Sequence, residues 1–522
     1  MRVWSVAWLH RLRGGWSRYS DRILRETGSS FHRYPRGAAG VLGLVALGLA
    51  GCGNQYRPVV TPIQPTGPAA LPTANVVLVS QPGYSPLMPG TTGPCAPSGT
   101  PGVAETYATP SVYSLVNFSG DSLMNQANGG NGPLTFALDT SGTSIYAPNC
   151  DGTLTNATAT TGALVTKSVQ TSTLEPQSSN WVPTNSLLAN GNLYVTEICP
   201  GGVTCVCPNG AATCNNFVAQ LTGSPEALKQ EIPVAPSLIN LTGFSSAERL
   251  YAISQGNSGG GTQPAWGDCA TPSNVTVNGE ADAIETTTNT ISATLPLGIC
   301  PVYGFMTPDG QRTFIVNRGS GTVTVINSQL NAIDAAHPSI TVGGGPVYAD
   351  YYQQGQLLVT ANYDSNTISI IDVSLDPYGN DSTTFGNVLA TVPVGLHPVE
   401  VTILQDGSRV YVANQGDLTA GTPGSVSIVN LTDYTVEKTI ALTANPHAIA
   451  SVYNYPIGKV YVASQNSPYL TVIRTDSDVV SATPEMQGNI VEMRVSAQYP
   501  GRTSQGASNY RTESRSVGSG AP

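Results

Sequence analysis

The feature that most constrains this chain is a unit that recurs every 45 to 52 residues. Its clearest copy runs from Pro398 to Leu431 and holds three short apolar runs: Val399 to Leu404, Val410 to Asn414 and Ser425 to Val429. Gln405-Asp406-Gly407-Ser408 separates the first two, and a Gly/Pro-rich loop separates the last two. The runs are β-branched or aromatic, too short for helices and bounded by Asp-Gly or Gly, so they read as antiparallel strands in a meander. The prolines that open successive copies stand at 301, 346, 398 and 446, giving spacings of 45, 52 and 48. A period of this length with four strands per unit predicts the blades of a β-propeller. One blade cannot cover its own faces and must stack on its neighbours. Strands buried on both faces need not alternate, which accounts for the unbroken apolar run Val410-Tyr411-Val412-Ala413.

Weaker copies open at 133, 183 and 236. At the N-terminal side, Asn75 to Ser80 reads as a second strand and Val112 to Phe118 as a third, with no first strand before them. At the C-terminal side, 490 to 495 aligns with Val399 to Leu404 as a first strand with nothing after it. The two halves make one composite blade that ties the ends of the chain together. The predicted fold is therefore all-β: a propeller over 75–496 with four-stranded blades, seven or eight in number and eight by repeat count. Long insertions fall at 82–110, 199–214 and 256–280. The balance of residues agrees, with 10% charged residues, 56 glycines and 39 prolines.

Residues 1–51 carry eight of the 22 basic residues and two of the 32 acidic ones. They end in an apolar run, Ala38 to Gly51, that is short for a membrane span, which takes about 20 residues. A basic segment, an apolar segment and small residues at the end predict an export signal. Leu49-Ala50-Gly51-Cys52 resembles the bacterial lipobox, which implies lipidation at Cys52 and, with Gly53 next, sorting to an outer membrane where one exists. Residues 52–74 read as a Pro/Thr-rich tether, and 497–522 as a disordered polar tail. Without residues 1–51 the chain keeps 14 basic and 30 acidic residues, a net charge of −16, which argues against nucleic acid as a partner.

Val410-Tyr411-Val412-Ala413-Asn414 and Val460-Tyr461-Val462-Ala463-Ser464 resemble the motif of YVTN-repeat β-propellers. Leu358 to Asn362 and Phe314 to Asn317 are variants, and Gly424 to Asn430 and Asn366 to Asp372 resemble that family's third strand. The likeness spans roughly 75–496 and is clearest in the last four copies. It implies a propeller, usually seven-bladed, in a secreted or surface protein, and it carries no common catalytic residues. The WD40 pattern is disfavoured: beyond residue 51 only Trp181 and Trp266 remain, and neither precedes Asp.

Besides Cys52 there are eight cysteines: Cys95, Cys150, Cys199, Cys205, Cys207, Cys214, Cys269 and Cys300. In an exported chain an even number predicts disulfides. We expect pairing within 199–214, Cys95 with Cys150 and Cys269 with Cys300. A four-thiolate zinc site within 199–214 is the less favoured alternative, since the spacing is not that of paired CxxC. Gly256-Asn257-Ser258-Gly259-Gly260 fits G-x-S-x-G, but no helix follows to make a nucleophile elbow. His397 and His447 flank first-strand prolines, and Glu400 and Glu492 occupy matching first-strand positions. These four are the candidates for a site at the channel mouth, against the plainer reading that they are repeat-turn residues. No cofactor or metal is expected.

Two functions follow. The favoured one is a non-catalytic binding or scaffold protein of the cell envelope, lipid-anchored and disulfide-bonded, whose partner is an envelope protein or glycan. The alternative is a hydrolase or lactonase working at the channel mouth, which rests on fold analogy alone.

Overall fold

A computed structural model of the chain describes residues 75–82, 109–138, 144–149, 153–160, 163–170, 181–199, 205, 216–223, 226–243, 247–265, 267–452 and 458–495. The predicted lipidation site Cys52, the tether, the polar tail and Cys95, Cys150, Cys207 and Cys214 lie outside these residues. No helix among the described residues is long and apolar enough to cross a membrane.

The described strands form eight separate antiparallel sheets. We number them as blades I to VIII by their first strands: Ala137–Leu138, Val182–Ala189, Leu238–Thr242, Pro301–Met306, Pro346–Tyr352, Pro398–Ile403, Pro446–Val452 and Asn489–Val495. Blade VI shows the pattern. Pro398–Ile403 pairs with Arg409–Asn414, then Ser425–Asn430, then Val436–Ala441. A bulge falls just after Pro398, between Pro398 and Glu400, where proline cannot donate to a ladder. The second strands are mostly buried, as expected for strands covered on both faces, whereas the fourth strand of blade VI is mostly exposed.

Blade VIII is composite, as the repeats predict. Its first strand, Asn489–Val495, pairs with Asn75–Gln81, which pairs with Val112–Asn117 and then Leu123–Asn128. This settles the count at eight. The closing blade packs on both neighbours: Val76 and Leu78 share a core with Val472 and Tyr461 of blade VII, and Val77 and Val79 share one with Phe136 and Ile145 of blade I. Blade IV departs from the four-strand expectation. Its last strand is split into Ala332–Ile333 and Ser339–Thr341, both paired with Thr322–Asn327. Pro338 lies in the gap, where its carbonyl accepts from Val325 N–H and its ring nitrogen has no proton to continue the ladder.

Two devices repeat around the ring. The first explains the Asn that ends several second strands. Asn317, Asn362 and Asn414 each donate through Nδ2 to two hydroxyls on the third strand: Thr322 and Thr324, Thr367 and Ser369, Ser425 and Ser427. Asn149 does the same to Thr153 and Thr155. A glycine of the preceding blade lies against each amide; a Cβ on Gly395 would stand 2.7 Å from Asn414 Cγ, and one on Gly343 2.5 Å from Asn362 Nδ2. The Asn and the alternating Ser/Thr of the repeat are thus a buried hub whose Nδ2 donors fix the second strand to the third beside the incoming loop.

The second device joins blades. A basic residue at the start of a second strand, and a tyrosine two positions on, reach the turn between third and fourth strands of the next blade. Arg409 donates to Thr475 O (2.5 Å) and Asp478 Oδ2 (2.6 Å), and the Tyr411 hydroxyl donates to the same carboxylate. Lys459 donates to Phe118 O (2.6 Å) and Asp121 (2.8 Å), with Tyr461 also on Asp121. Arg249 reaches Ser328 O while Tyr251 reaches Asn331, and Tyr194 reaches Asn289. The receiving residues Asp121, Asn289, Asn331 and Asp478 all have φ between 50° and 55°, the left-handed region that Asn and Asp tolerate best. Between blades V and VI the tyrosine position is Val359, and the left-handed position is Tyr434 rather than Asn or Asp. Burial pushes the Tyr194 hydroxyl up to about 12 and raises those of Tyr251, Tyr411 and Tyr461, so they are donors at neutral pH.

Lys459 is 4% exposed and joins residues 338 positions apart in sequence across the ring closure. Lys459→Met should lower stability by about 3 kcal/mol, because it strands the Asp121 carboxylate. Adding Asp121→Asn should recover part of that loss. Urea denaturation of the two variants checks both statements.

Candidate binding face and channel

In every blade the first strand starts, the second ends and the third begins at the same end of the molecule. That end carries most of the long connections. Those between second and third strands span 82–111 in blade VIII, 199–216 in blade II, 255–277 in blade III and 415–424 in blade VI. The other described second-to-third turns are short, at 318–321, 363–366 and 465–469. The insertion in blade III ends earlier than the sequence suggests: Asn278–Glu285 is the third strand, so residues 278–280 belong to the sheet. The opposite face has one comparable excursion, 373–387 in blade V.

Both described disulfides lie at the insertion-bearing face. Cys199–Cys205 closes a six-residue separation inside the blade II connection. This pairing holds two of the four sulfurs that the zinc reading required. Cys269–Cys300 pins the blade III insertion to the junction between blades III and IV, as expected. Cys269 sits in a short 3-10 turn, Asp268–Ala270, and both cysteines are fully buried. Ser258 of the G-x-S-x-G stretch donates to Glu280 Oε1 at 2.6 Å while its own N–H meets Oε2 of the same carboxylate. That arrangement stitches the insertion to the third strand and has no strand-to-helix elbow.

The two candidate histidines are not equivalent. His397 precedes its proline and His447 follows its own, so they do not stand in register as the repeat alignment suggests. His397 has φ 54°. The same place before a first strand is taken by Gly132, Ser237, Cys300, Gly345 and Gly488, all with positive φ. It is a turn position, and His397 serves it: Nδ1 pairs with Gly416 O (2.8 Å), the backbone N–H donates to Asn366 Oδ1, and the ring stacks on Tyr363 at 4.5 Å. Tyr363 in turn lies under Arg318 and donates to Gln415, so a continuous platform crosses blades IV, V and VI. His447 is buried, with Nε2 on Val491 O of the closing blade (3.1 Å).

Glu400 and Glu492 do share a position, the residue after the first-strand bulge. Tyr303 and Tyr348 occupy it in blades IV and V. Asp350, Thr402 and Arg494 stand two residues further in on their strands. The inner strand of each blade is a sheet edge facing the channel, and its N–H groups need partners. The carboxylates of the preceding blade supply them: Ile449 N–H donates to Glu400 Oε2 (2.8 Å) and Ile403 N–H to Asp350 Oδ2 (2.8 Å). Tyr303 and Tyr348 stack with ring centroids 4.5 Å apart. Burial raises both hydroxyl pKa values; Asp350 and Glu400 raise them further, and Arg494 lowers them. Charges from blades V, VI and VIII thus converge on one tyrosine pair.

A third cluster was not legible in the sequence. Asp334, His337 and Asp381 present ligand-type atoms within 4.8 Å of one another. The buried Arg312 guanidinium already lies among them, 2.7 Å from Asp381 Oδ1 and 3.6 Å from Asp334 Oδ2, while His337 Nδ1 pairs with Asp381 Oδ2 at 2.7 Å. The protein's own cation neutralises the pair of carboxylates, which fits a clasp better than a metal site. It holds the 373–387 excursion of blade V onto blade IV in the place where the inter-blade device has Phe314 instead of tyrosine. His337 and Asp381 are 44 residues apart, and no local pattern links them.

No protein-family model matches the sequence, and no curated protein matches it. Solved structures match in fold. One is a dihydro-heme d1 dehydrogenase, NirN, in complex with DHE, with a TM-score of 0.53 and 12% identity over 83% of this chain and 79% of that one. Others are apo AztD from Citrobacter koseri (0.47, 12%, 81% and 97%) and Sqt1 of Saccharomyces cerevisiae (0.48, 7%, 69% and 86%). At such identities the likeness concerns the β-propeller fold alone.

Proteolysis of the unreduced protein should release a cross-linked peptide pair containing Cys269 and Cys300, and a second crosslink within 199–205. Mass mapping with and without reductant reads both. Reactive Cys199 and Cys205 in the denatured, unreduced protein would contradict the blade II pairing.

Proposed function

We propose that this chain is a non-catalytic binding protein of the cell envelope, a YVTN-type propeller that holds a protein or glycan partner through the insertion-bearing face. The observation that carries the reading is the gathering of four second-to-third insertions and both described disulfides at one end of the ring. Repeat scaffolds place insertions on the face they use for recognition, and crosslinks that pin such loops reduce the ordering cost of binding. The chemistry-bearing side chains nearby have structural employment: His397 and His447 hold backbone carbonyls, and Glu400 and Asp350 hold backbone N–H groups. A general base must instead be within reach of a substrate proton.

Replacing Ser258–Gly267 by a Gly-Ser linker keeps Cys269 and the sheet. It should reduce capture of envelope components by the immobilised protein several-fold, whereas His397→Gln with His447→Gln should leave capture near wild type. Melting curves control for folding. The reverse ranking would remove the insertion face from the argument and favour chemistry at the channel mouth.

The lipid anchor belongs to the same proposal and rests on Leu49-Ala50-Gly51-Cys52. Several acyl chains hold a protein on a membrane where one does so only marginally. Cys52→Ser should therefore leave the precursor unprocessed or move the protein from the membrane to the soluble fraction, read by fractionation and gel mobility. Unchanged partitioning and mobility would exclude lipidation there.

A further inference from the structure

Arg494 lies on the channel-lining strand of blade VIII, two residues beyond Glu492 on the same face. Its side chain is 12% exposed, and its Nε and Nη2 are buried without a hydrogen-bond acceptor. Glu492 Oε2, at 3.9 Å from Nη2, is an ion-pair neighbour too distant for a hydrogen bond. Nε and Nη2 lie side by side on one edge of the guanidinium, the fork that a carboxylate fills with two parallel bonds. A buried charged donor without an acceptor is costly, and each such group in a folded protein calls for an explanation.

The surroundings narrow the occupant. Asp350 and Glu400 act with Arg494 on the Tyr303–Tyr348 pair, and Glu492 lies 3.9 Å from Arg494, three carboxylates around one guanidinium. A simple anion would satisfy the fork but meet net negative charge. A simple cation would leave the fork unfilled. A ligand that carries both a carboxylate and an ammonium group answers both demands. Tyr303 and Tyr348 add hydroxyls that burial keeps protonated.

We infer that the channel holds a zwitterion of the amino-acid or short-peptide class, with its carboxylate on the Nε/Nη2 edge of Arg494 and its ammonium group toward Glu492 and Glu400. Nε and Nη2 are closed to solvent in this structure, so binding requires side chains beside the fork to move apart, while the carboxylates that hold inner-strand N–H groups keep their places. This site deepens the binding reading above and adds a small ligand to it.

The test is titration calorimetry and thermal shift on the purified full chain with glycine, L-alanine and glycylglycine, and with acetate and ethylamine as single-charge controls. At least one zwitterion should bind and raise the melting temperature at concentrations where acetate and ethylamine do nothing. Arg494→Lys keeps the charge and removes the fork; it should fold and weaken that binding about tenfold or more. Arg494→Met should abolish it. Acetate as effective as the zwitterions, binding unchanged in Arg494→Lys, or no response to any of the three zwitterions would each overturn the inference. Envelope capture that still depends on Ser258–Gly267 would then show that the binding-face reading stands without it.

Discussion

The ring depends on contacts that cross from one blade to the next, and above all on the polar contact that recurs at the start of several second strands. Within a blade, backbone ladders satisfy the strands. Between blades there is no ladder, only packed side chains and a few directed bonds. The recurring basic residue and tyrosine give that interface a register. They aim at a residue in the left-handed region, whose conformation is itself set by the turn it ends. An opening between blades VI and VII would have to break the Arg409 and Tyr411 contacts to Asp478 and Thr475 together, at about 1.5–3 kcal/mol for each charge-assisted bond. A solenoid can fray from its ends. This ring has its ends inside one blade, and Lys459 clamps that blade to its neighbour.

The same logic sets what the channel can contain. Inner strands are sheet edges, and an edge with bare N–H groups invites unwanted pairing. Here carboxylates from the preceding blade occupy some of those groups, so acids in the channel serve the scaffold before any ligand. Arg494 differs because it lacks that employment on the Nε/Nη2 edge. Its contrast with Arg312, which is wholly enclosed by Asp334, Asp381 and backbone carbonyls, separates a guanidinium used for architecture from one left with donors to spare.

The division of the molecule into two faces follows from strand direction. Turns between first and second strands, and between third and fourth, sit opposite the insertions. Among the described residues the long one, 373–387, is clasped down by Arg312 and His337. The insertion end is where length varies from blade to blade while the sheets beneath stay alike. A rigid ring with variable loops at one end separates the residues that hold the fold from those free to meet a partner.

The sequence by itself determined the propeller and the composite closure, with eight as the repeat count against a usual seven, because each depends on local patterning: apolar runs of strand length, Asp-Gly turns, and a proline at regular intervals. Which cysteines pair was not fixed by the sequence; the Cys269–Cys300 bond was one expectation among many possible pairings, and the packing of the blade III insertion selects it. Tertiary structure alone decided what the candidate side chains do. His397 and His447 both flank first-strand prolines, yet one fills a left-handed turn before its proline and the other falls at the bulge after its proline and reaches the closing blade. The Asn of the repeat motif reads as a family mark, and only packing shows it as a hub for two hydroxyls and a glycine from the blade before. The Asp334–His337–Asp381 clasp and the convergence of Asp350, Glu400 and Arg494 join residues from different blades, and no local period in a sequence records which side chains a closed ring brings face to face.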